Sequence, residues 1–108
     1  MAFQTMKSDG AHSYLSGTVV GGQTSEPVIL PDVPGYRHIA FFVYPTSSAR
    51  VLVTISPRRD VEAGKTSVKW QEWSPGLVTA DTNDGSEYPL TAAKLEAVGG
   101  DAYWEIRS

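Results

Sequence analysis

The sequence predicts an all-β fold, an antiparallel β-sandwich or a jelly-roll-like barrel of about eight short strands. Helical periodicity is almost absent, while short apolar or alternating runs recur about every 8–12 residues with turn-forming residues between them. The turns carry Pro-Gly, Asp-Gly and Gly-Gly pairs, which supply a fixed proline φ or a glycine free to adopt positive φ. The predicted strands are residues 13–20, 27–30, 36–44, 50–56, 66–73, 77–80, 91–98 and 102–107.

Residues 38–44 are apolar at consecutive positions, so we expect a central strand that is covered on both faces. Residues 50–56 place Val51, Val53 and Ile55 on one face, as a half-buried strand does. Residues 102–107 alternate in the same way, with Ala102, Trp104 and Ile106 directed inward.

Residues 91–98 contain good helix formers, but their alternation and the flanking Pro89 and Gly99-Gly100 favour a strand. Residues 57–64, PRRDVEAG, break the strand pattern and are predicted to be a charged, exposed hairpin loop. Residues 81–87 place oxygen-bearing side chains around Gly85, yet Ala92 stands where a calcium loop of the helical type needs its distal Glu. We expect a hairpin connection there, with Asp84-Gly85 at its tight turn.

The 108 residues are enough for one domain, and we divide them into an N-terminal arm, residues 1–10, and a single sandwich domain, residues 11–108. The chain has no cysteine, which excludes a disulfide framework and Cys-ligated metal sites. Twelve acidic against nine basic residues give a net charge of −3, which argues against broad nucleic-acid binding. No signal peptide or long apolar run is present, so we expect no membrane association.

Catalytic and metal-binding patterns are missing from the sequence. His12 and His38 are its two histidines, and nothing in their spacing brings them together with carboxylates. His38 is expected to be a core histidine of its apolar strand. The serines form no nucleophile elbow, and the glycine-rich residues 17–22 lack the Lys-Ser/Thr ending of a phosphate loop. We therefore predict a protein that is not an enzyme, with no catalytic residue, no metal site and no cofactor.

Aromatic and charged residues supply the candidate contact sites. Parity places Trp70 and Trp104 in the core, whereas Trp73 and Tyr103 fall on the opposite face and are candidate surface contacts, unless a bulge returns Trp73 to the core. Phe3 and Met6 are expected to anchor the arm to this domain or to a neighbouring subunit. The predicted partner contacts are Phe3, Met6, Arg58, Arg59, Trp73 and Tyr103.

An alternative interpretation is a carbohydrate-binding module, because aromatic rings stack on sugars while carboxylates and amides hydrogen-bond to hydroxyl groups. Tyr103 could also contribute a ring to such a site. The residues predicted for sugar binding are Trp73, Asp81, Asn83 and Tyr88.

The second half of the chain, from Arg50 onward, resembles small β-rich virion proteins of tailed bacteriophages, especially capsid decoration or cement proteins and related head or tail accessory proteins. The segments that carry the resemblance are VLVTIS (51–56), WQEWSPGLVTA (70–80), PLTAAKL (89–95) and GGDAYWEI (99–106). It implies a structural protein located in the virion, binding the major capsid protein or another virion protein and forming a homo-oligomer. No family binding residue transfers individually to this sequence.

Overall fold

The structure, a computed structural model, describes residues 3–9, 12–30, 39–86 and 90–108. In these ranges the chain forms ten strands and one short helix, α1, Arg58–Glu62. Sheet A contains, in spatial order, β1 (Gln4–Thr5), β4 (Val28–Ile29), β9 (Ala92–Gly99), β6 (Ser48–Thr54) and β7 (Gln71–Glu72). Sheet B contains β2 (Lys7–Asp9), β3 (His12–Val19), β10 (Ala102–Arg107), β5 (Ile39–Pro45) and β8 (Thr82–Ser86). All pairs are antiparallel except β1 with β4, so the predicted all-β sandwich is confirmed.

The core lies between the two sheets and is built from the alternating inward residues of their central strands. Trp104 is 1% exposed and Phe41 is fully buried, and their rings are stacked with centroids 6.4 Å apart. The predicted inward set of β10 is confirmed, as is the strand at 91–98, which becomes β9. The inward residues of β5, β6, β9 and β10 are Ile39, Phe41, Val43, Ala49, Val51, Ala93, Leu95, Ala97, Ala102, Trp104 and Ile106.

A second, smaller apolar cluster covers the outer face of sheet A. Ile29 and Ala92 point away from the main core and pack against Val61 of α1 and against Val68. The prediction of an exposed loop at residues 57–64 is therefore wrong, because α1 forms there and Val61 anchors the helix to sheet A. Gly64 follows the helix with φ +67°, a conformation that glycine adopts without steric cost.

Several strands of the structure also have boundaries that differ from those predicted. Of residues 66–73 only Gln71–Glu72 pairs in a sheet, and of 77–80 only Val78 does, through an isolated bridge to Ala49. Residues 82–86 were predicted to lie in a hairpin connection, but they form β8, which pairs along β5 from Ile39 to Val43. Ile55 is 73% exposed, because β6 ends at Thr54 before the predicted alternation would bury it.

The N-terminal segment contributes an edge strand to each sheet. β1 pairs in parallel with β4, and two residues later β2 pairs antiparallel with β3. Met6 lies at the crossing and packs against the main core, while Phe3 is 38% exposed. The predicted arm is thus integrated into the sandwich over residues 4–9.

His38 lies outside the described residues. No helix in the described ranges has the length and apolar character needed to cross a membrane.

Candidate functional site: the outer face of sheet B

The two sheets differ in what covers their outer faces. Helix α1 and the segment after it cover one end of sheet A, whereas the outward side chains of β3, β5 and β10 are half-buried or exposed. We call the outward set on sheet B the tyrosine face. It consists of Tyr14, Ser16 and Thr18 of β3, Phe42 and Tyr44 of β5, Asn83 of β8, and Tyr103, Glu105 and Arg107 of β10.

Strand register brings the aromatic and charged groups of this face together. Tyr103 lies opposite Tyr44 on β5 and Thr18 on β3, and Arg107 lies opposite Tyr14. Cross-strand partners in antiparallel sheets hold their Cβ atoms about 4.5–5.5 Å apart, which is close enough for side-chain contact. Antiparallel pairing therefore assembles a continuous surface from three separate segments of the chain.

The tyrosines are held by specific contacts. The Tyr44 and Tyr103 rings are 5.7 Å apart with their planes inclined at 36°, and the Tyr103 hydroxyl donates a 2.9 Å hydrogen bond to Oε2 of Glu105. At the other end of the face, the Arg107 guanidinium lies 5.8 Å from the centre of the Tyr14 ring. The three tyrosines are nevertheless 36–37% exposed, so each retains a surface for an incoming partner.

This arrangement suits recognition by contact. Tyrosine offers a large apolar ring with a hydrogen-bonding end, and it loses little conformational entropy on binding because it has only two side-chain torsions. Glu105 and Arg107 add one acceptor group and one donor group within the same strand. Among the described residues, no group of three or more His, Cys, Asp or Glu side chains is placed to hold a metal ion.

Two of the predicted binding residues lie on this face. Tyr103 is exposed there as predicted, and Asn83 is placed opposite Phe42 by the β5–β8 register. Asp81 is exposed just before β8, and Tyr88 lies outside the described residues. Sequence reasoning missed Tyr14 and Tyr44. Alternation along β3 and β5 could have shown that these two tyrosines face outward. It could not have shown that they lie beside β10.

Trp73 is the clearest correction. It is 4% exposed, and its ring packs edge-on against Phe41 with centroids 5.6 Å apart. The prediction of a surface contact used parity from Trp70, but only Gln71–Glu72 is a strand, so alternation does not extend across the segment. The Trp73 amide donates to the Val51 carbonyl, which holds the residue against β6.

Trp70 is half-buried rather than part of the main core. It packs beside the small cluster on sheet A, and the Lys94 ammonium lies 4.2 Å from the centre of its ring. Burial lowers the pKa of Lys94 from its ordinary value of 10.5, and the nearby Glu96 carboxylate opposes this shift.

The predicted arginine contacts do not join the tyrosine face. Arg58 and Arg59 are exposed on α1, on the opposite side of the sandwich from Tyr103. Arg58 pairs with Glu62 one helical turn later, at 2.9 Å. The predicted contact residues Phe3, Met6, Arg58, Arg59 and Tyr103 are thus distributed over several surfaces.

A charged cluster on sheet A was also missed. Arg50 of β6 donates from Nε to Glu96 at 2.5 Å and from a terminal nitrogen to Glu72 at 3.2 Å, so one side chain links β6, β7 and β9. The hydrogen bonds to Glu96 and Glu72 raise the pKa of Arg50. The two ion pairs of Arg50 connect neighbouring strands of sheet A.

Comparison with known proteins gives support for the fold only. The chain matches no family model and no curated protein. A solved structure of oxalate oxidase superimposes on this chain with a TM-score of 0.51 at 17% sequence identity. The match covers 89% of this chain and 40% of the oxalate oxidase chain. At this identity the likeness concerns the β-sandwich architecture.

Proposed function

We propose that this domain is a non-enzymatic structural protein that works by contact, decorating and stabilising a bacteriophage capsid through the tyrosine face. The observation that carries the proposal is the exposed group of Tyr14, Tyr44 and Tyr103, with Arg107 beside it, on the outer face of sheet B, which no described element covers. Tyrosine and arginine are enriched at the energetically dominant positions of protein interfaces.

Preorganisation supports a protein partner. Tyr103 is already fixed by Glu105 and by Tyr44, so binding requires less additional ordering of that side chain. A standard interface buries about 800 Å² on each partner, which is about one-eighth of the 6180 Å² exposed by this chain. A contact of that size would leave most of the chain's surface exposed.

The resemblance of residues 50–108 to phage virion proteins supplies the partner class. On this basis the partner is the major capsid protein or another virion protein, and several copies act together on the particle. Multiple weak contacts by a repeated subunit give large total stabilisation, because the later contacts form at high effective concentration.

Carbohydrate binding is the second candidate, and one observation favours it. The Tyr44–Tyr103 pair lies on the same face as Asn83 and Glu105, so aromatic rings and hydrogen-bonding groups occur together as sugar recognition requires. Buried Trp73 cannot provide the stacking surface expected from the sequence. Tyr44 and Tyr103 replace it in this alternative.

The test is an add-back experiment with purified virions and shells that lack the protein. Wild-type protein should be found in the virions and should bind the shells, and Tyr103→Ala should reduce shell occupancy at least tenfold. Arg59→Ala, on the opposite side of the sandwich, is the matched control and should bind normally. Light scattering of the free protein tests self-association.

Absence of the protein from purified virions would contradict the virion proposal, as would unchanged shell binding by Tyr103→Ala. A glycan array probed with wild-type protein and Tyr103→Ala separates the second candidate. Sugar binding that disappears in the variant, with no shell binding by either protein, would replace the first candidate by the second.

A further inference from the structure

One edge of strand β3, the edge that β2 pairs with, is paired with a described strand only over residues 12–14. On its inner side in sheet B it pairs with β10 from Tyr14 to Val19. On its other side β2 covers only His12, Ser13 and Tyr14. Among the described residues no strand pairs with the β2 side of residues 15–19, so half of the backbone amide and carbonyl groups there lack a sheet partner.

A groove of about 270 Å³ follows this open edge. Its lining includes four consecutive residues of the chain, Gly17 to Val20. Gly17, Thr18 and Val19 are the last residues of β3, and successive residues of a strand point to opposite faces, so a groove that touches all three runs along the edge of β3 rather than over one face. Residues 23–26 and Trp104 also line the groove, and Thr24 of that segment is bridged to Glu96 of β9 in sheet A.

Gly17 leaves open space in the lining of the groove. It lies opposite Trp104, on the inward face of β3 between Leu15 and Val19. A Cβ built on Gly17 would meet no atom within 4 Å, and its φ is not positive, so backbone conformation does not require glycine there. Glycine inside a strand often marks the close approach of a ligand or another backbone.

We propose that this edge binds an extended peptide segment of a partner protein, which adds to sheet B as a strand alongside residues 15–19 of β3. Backbone hydrogen bonds to the open edge supply affinity, and one small apolar side chain of the segment enters the space over Gly17. This inference is independent of the tyrosine face, which lies on the outer side of sheet B.

The chain itself shows that this side of the sandwich accepts extended segments. β1 and β2 are short extended pieces that pair with β4 and with the first part of β3. The proposed segment continues the row that β2 begins on β3.

The charge of the groove indicates which kind of segment binds there. The polar lining consists of Gln4, Gln23, Thr18, Thr24, Ser25 and Glu26 and contains no cation. Glu26 is exposed and makes no ion pair with a described residue. The segment therefore carries a Lys or Arg near Glu26 as well as its small apolar residue.

The test uses a display library of random 12-residue peptides selected on the full chain. We expect enriched peptides to alternate small apolar and polar residues and to contain a basic residue. Individual enriched peptides are then measured by fluorescence polarisation, and Gly17→Val should weaken their binding at least tenfold because its side chain fills the groove. Amide exchange followed by NMR should show new protection within residues 15–19 when peptide binds.

Two controls make the result specific. Arg59→Ala, on the outer side of sheet A, should bind peptides as wild type does. Tyr103→Ala should also bind them, which separates this site from the tyrosine face. A thermal melt establishes that Gly17→Val is folded. Failure to enrich any binding peptide would overturn the proposal, as would equal binding by Gly17→Val or protection confined to other strands.

Discussion

Tyr44 and Tyr103 lie directly opposite each other on β5 and β10, with ring centroids 5.7 Å apart and planes inclined at 36°. The two residues are 59 positions apart in the chain, so only the pairing of β5 with β10 brings them together. The pair lies at one end of the tyrosine face, and its contact energy can be measured without any partner.

A double-mutant cycle should detect that contact in the free energy of unfolding. Tyr44→Ala, Tyr103→Ala and the double variant, compared by urea denaturation, should give a coupling of about 0.5–1 kcal/mol, as cross-strand aromatic pairs do. Tyr14→Ala with Tyr44→Ala is the control, and these should add within about 0.5 kcal/mol because the residues do not touch. A coupling near zero for Tyr44 and Tyr103 would refute the contact.

Trp73 should behave as a core residue. Trp73→Ala should lower the free energy of unfolding by about 3–5 kcal/mol, because it removes a large buried ring that packs on Phe41. Trp73→Phe should cost much less. Among the described residues the buried Trp73 Nε1 atom has no hydrogen-bond partner, so replacing the indole removes no hydrogen bond to them.

Denaturation in urea measures both variants, and Trp104→Phe provides a comparison within the same core. Equal, small effects of Trp73→Ala and of a surface substitution such as Arg59→Ala would show that Trp73 is exposed. Shell or peptide binding by folded Trp73→Phe should match wild type.

Two glycines should respond in opposite directions to alanine. Gly17→Ala should stabilise the protein by about 0.5–1 kcal/mol, because Cβ enters open space and the unfolded chain loses freedom. Gly21→Ala should destabilise it by about 1–3 kcal/mol, because its Cβ would come within 2.8 Å of the Gly100 backbone. Thermal unfolding of the two single variants measures both changes in stability. A change of the same sign in both variants would contradict the surroundings described for Gly17 and Gly21.

Lys94 should make the free energy of unfolding vary with pH in the alkaline range. Its burial beside Trp70 lowers its pKa in the folded state below the ordinary value of 10.5, so the folded protein releases this proton first. In the interval between the folded and unfolded pKa values the unfolded state binds more protons, and stability therefore rises with pH. Below the folded pKa this contribution is constant.

The measurement is an NMR titration of the Lys94 side chain, together with unfolding free energies of wild type and Lys94→Met across the same pH range. Methionine keeps much of the packing on Trp70 and cannot titrate, so the pH-dependent difference between the two proteins isolates the Lys94 contribution. A titration midpoint at or above 10.5 would contradict the predicted direction.

Much of the sandwich follows from local patterns. Strands β9 and β10 were predictable because alternation within one strand decides which side chains point inward, and the glycines around residues 99–100 mark the turn between them. Helix α1 was missed because a five-residue helix has little periodicity, and its single anchor, Val61, gains significance only from contact with Ala92 and Ile29. Strand β8 was missed because TNDGS has turn-forming residues, and pairing with β5 overrides that preference.

The candidate sites also contain features that local sequence patterns predict and features that they do not. The exposure of Tyr103 was predictable from its place between Ala102 and Trp104, but its neighbours Tyr44 and Thr18 come from distant segments. Trp73 was assigned to the surface because parity was carried across residues that do not form a strand. The open edge of β3 cannot be inferred from its own residues, since it depends on how far β2 extends beside it.

The sequence by itself determined the all-β class, the inward faces of its regular strands and the outward position of Tyr103, because these depend on side-chain alternation along a single segment. Tertiary structure alone decided that Trp73 is buried, that three tyrosines share one face, and that the groove over Gly17 lies beside an edge of β3 with which no described strand pairs beyond Tyr14. Each of these depends on register and packing between segments far apart in the chain, and such relationships leave no periodic signal within either segment.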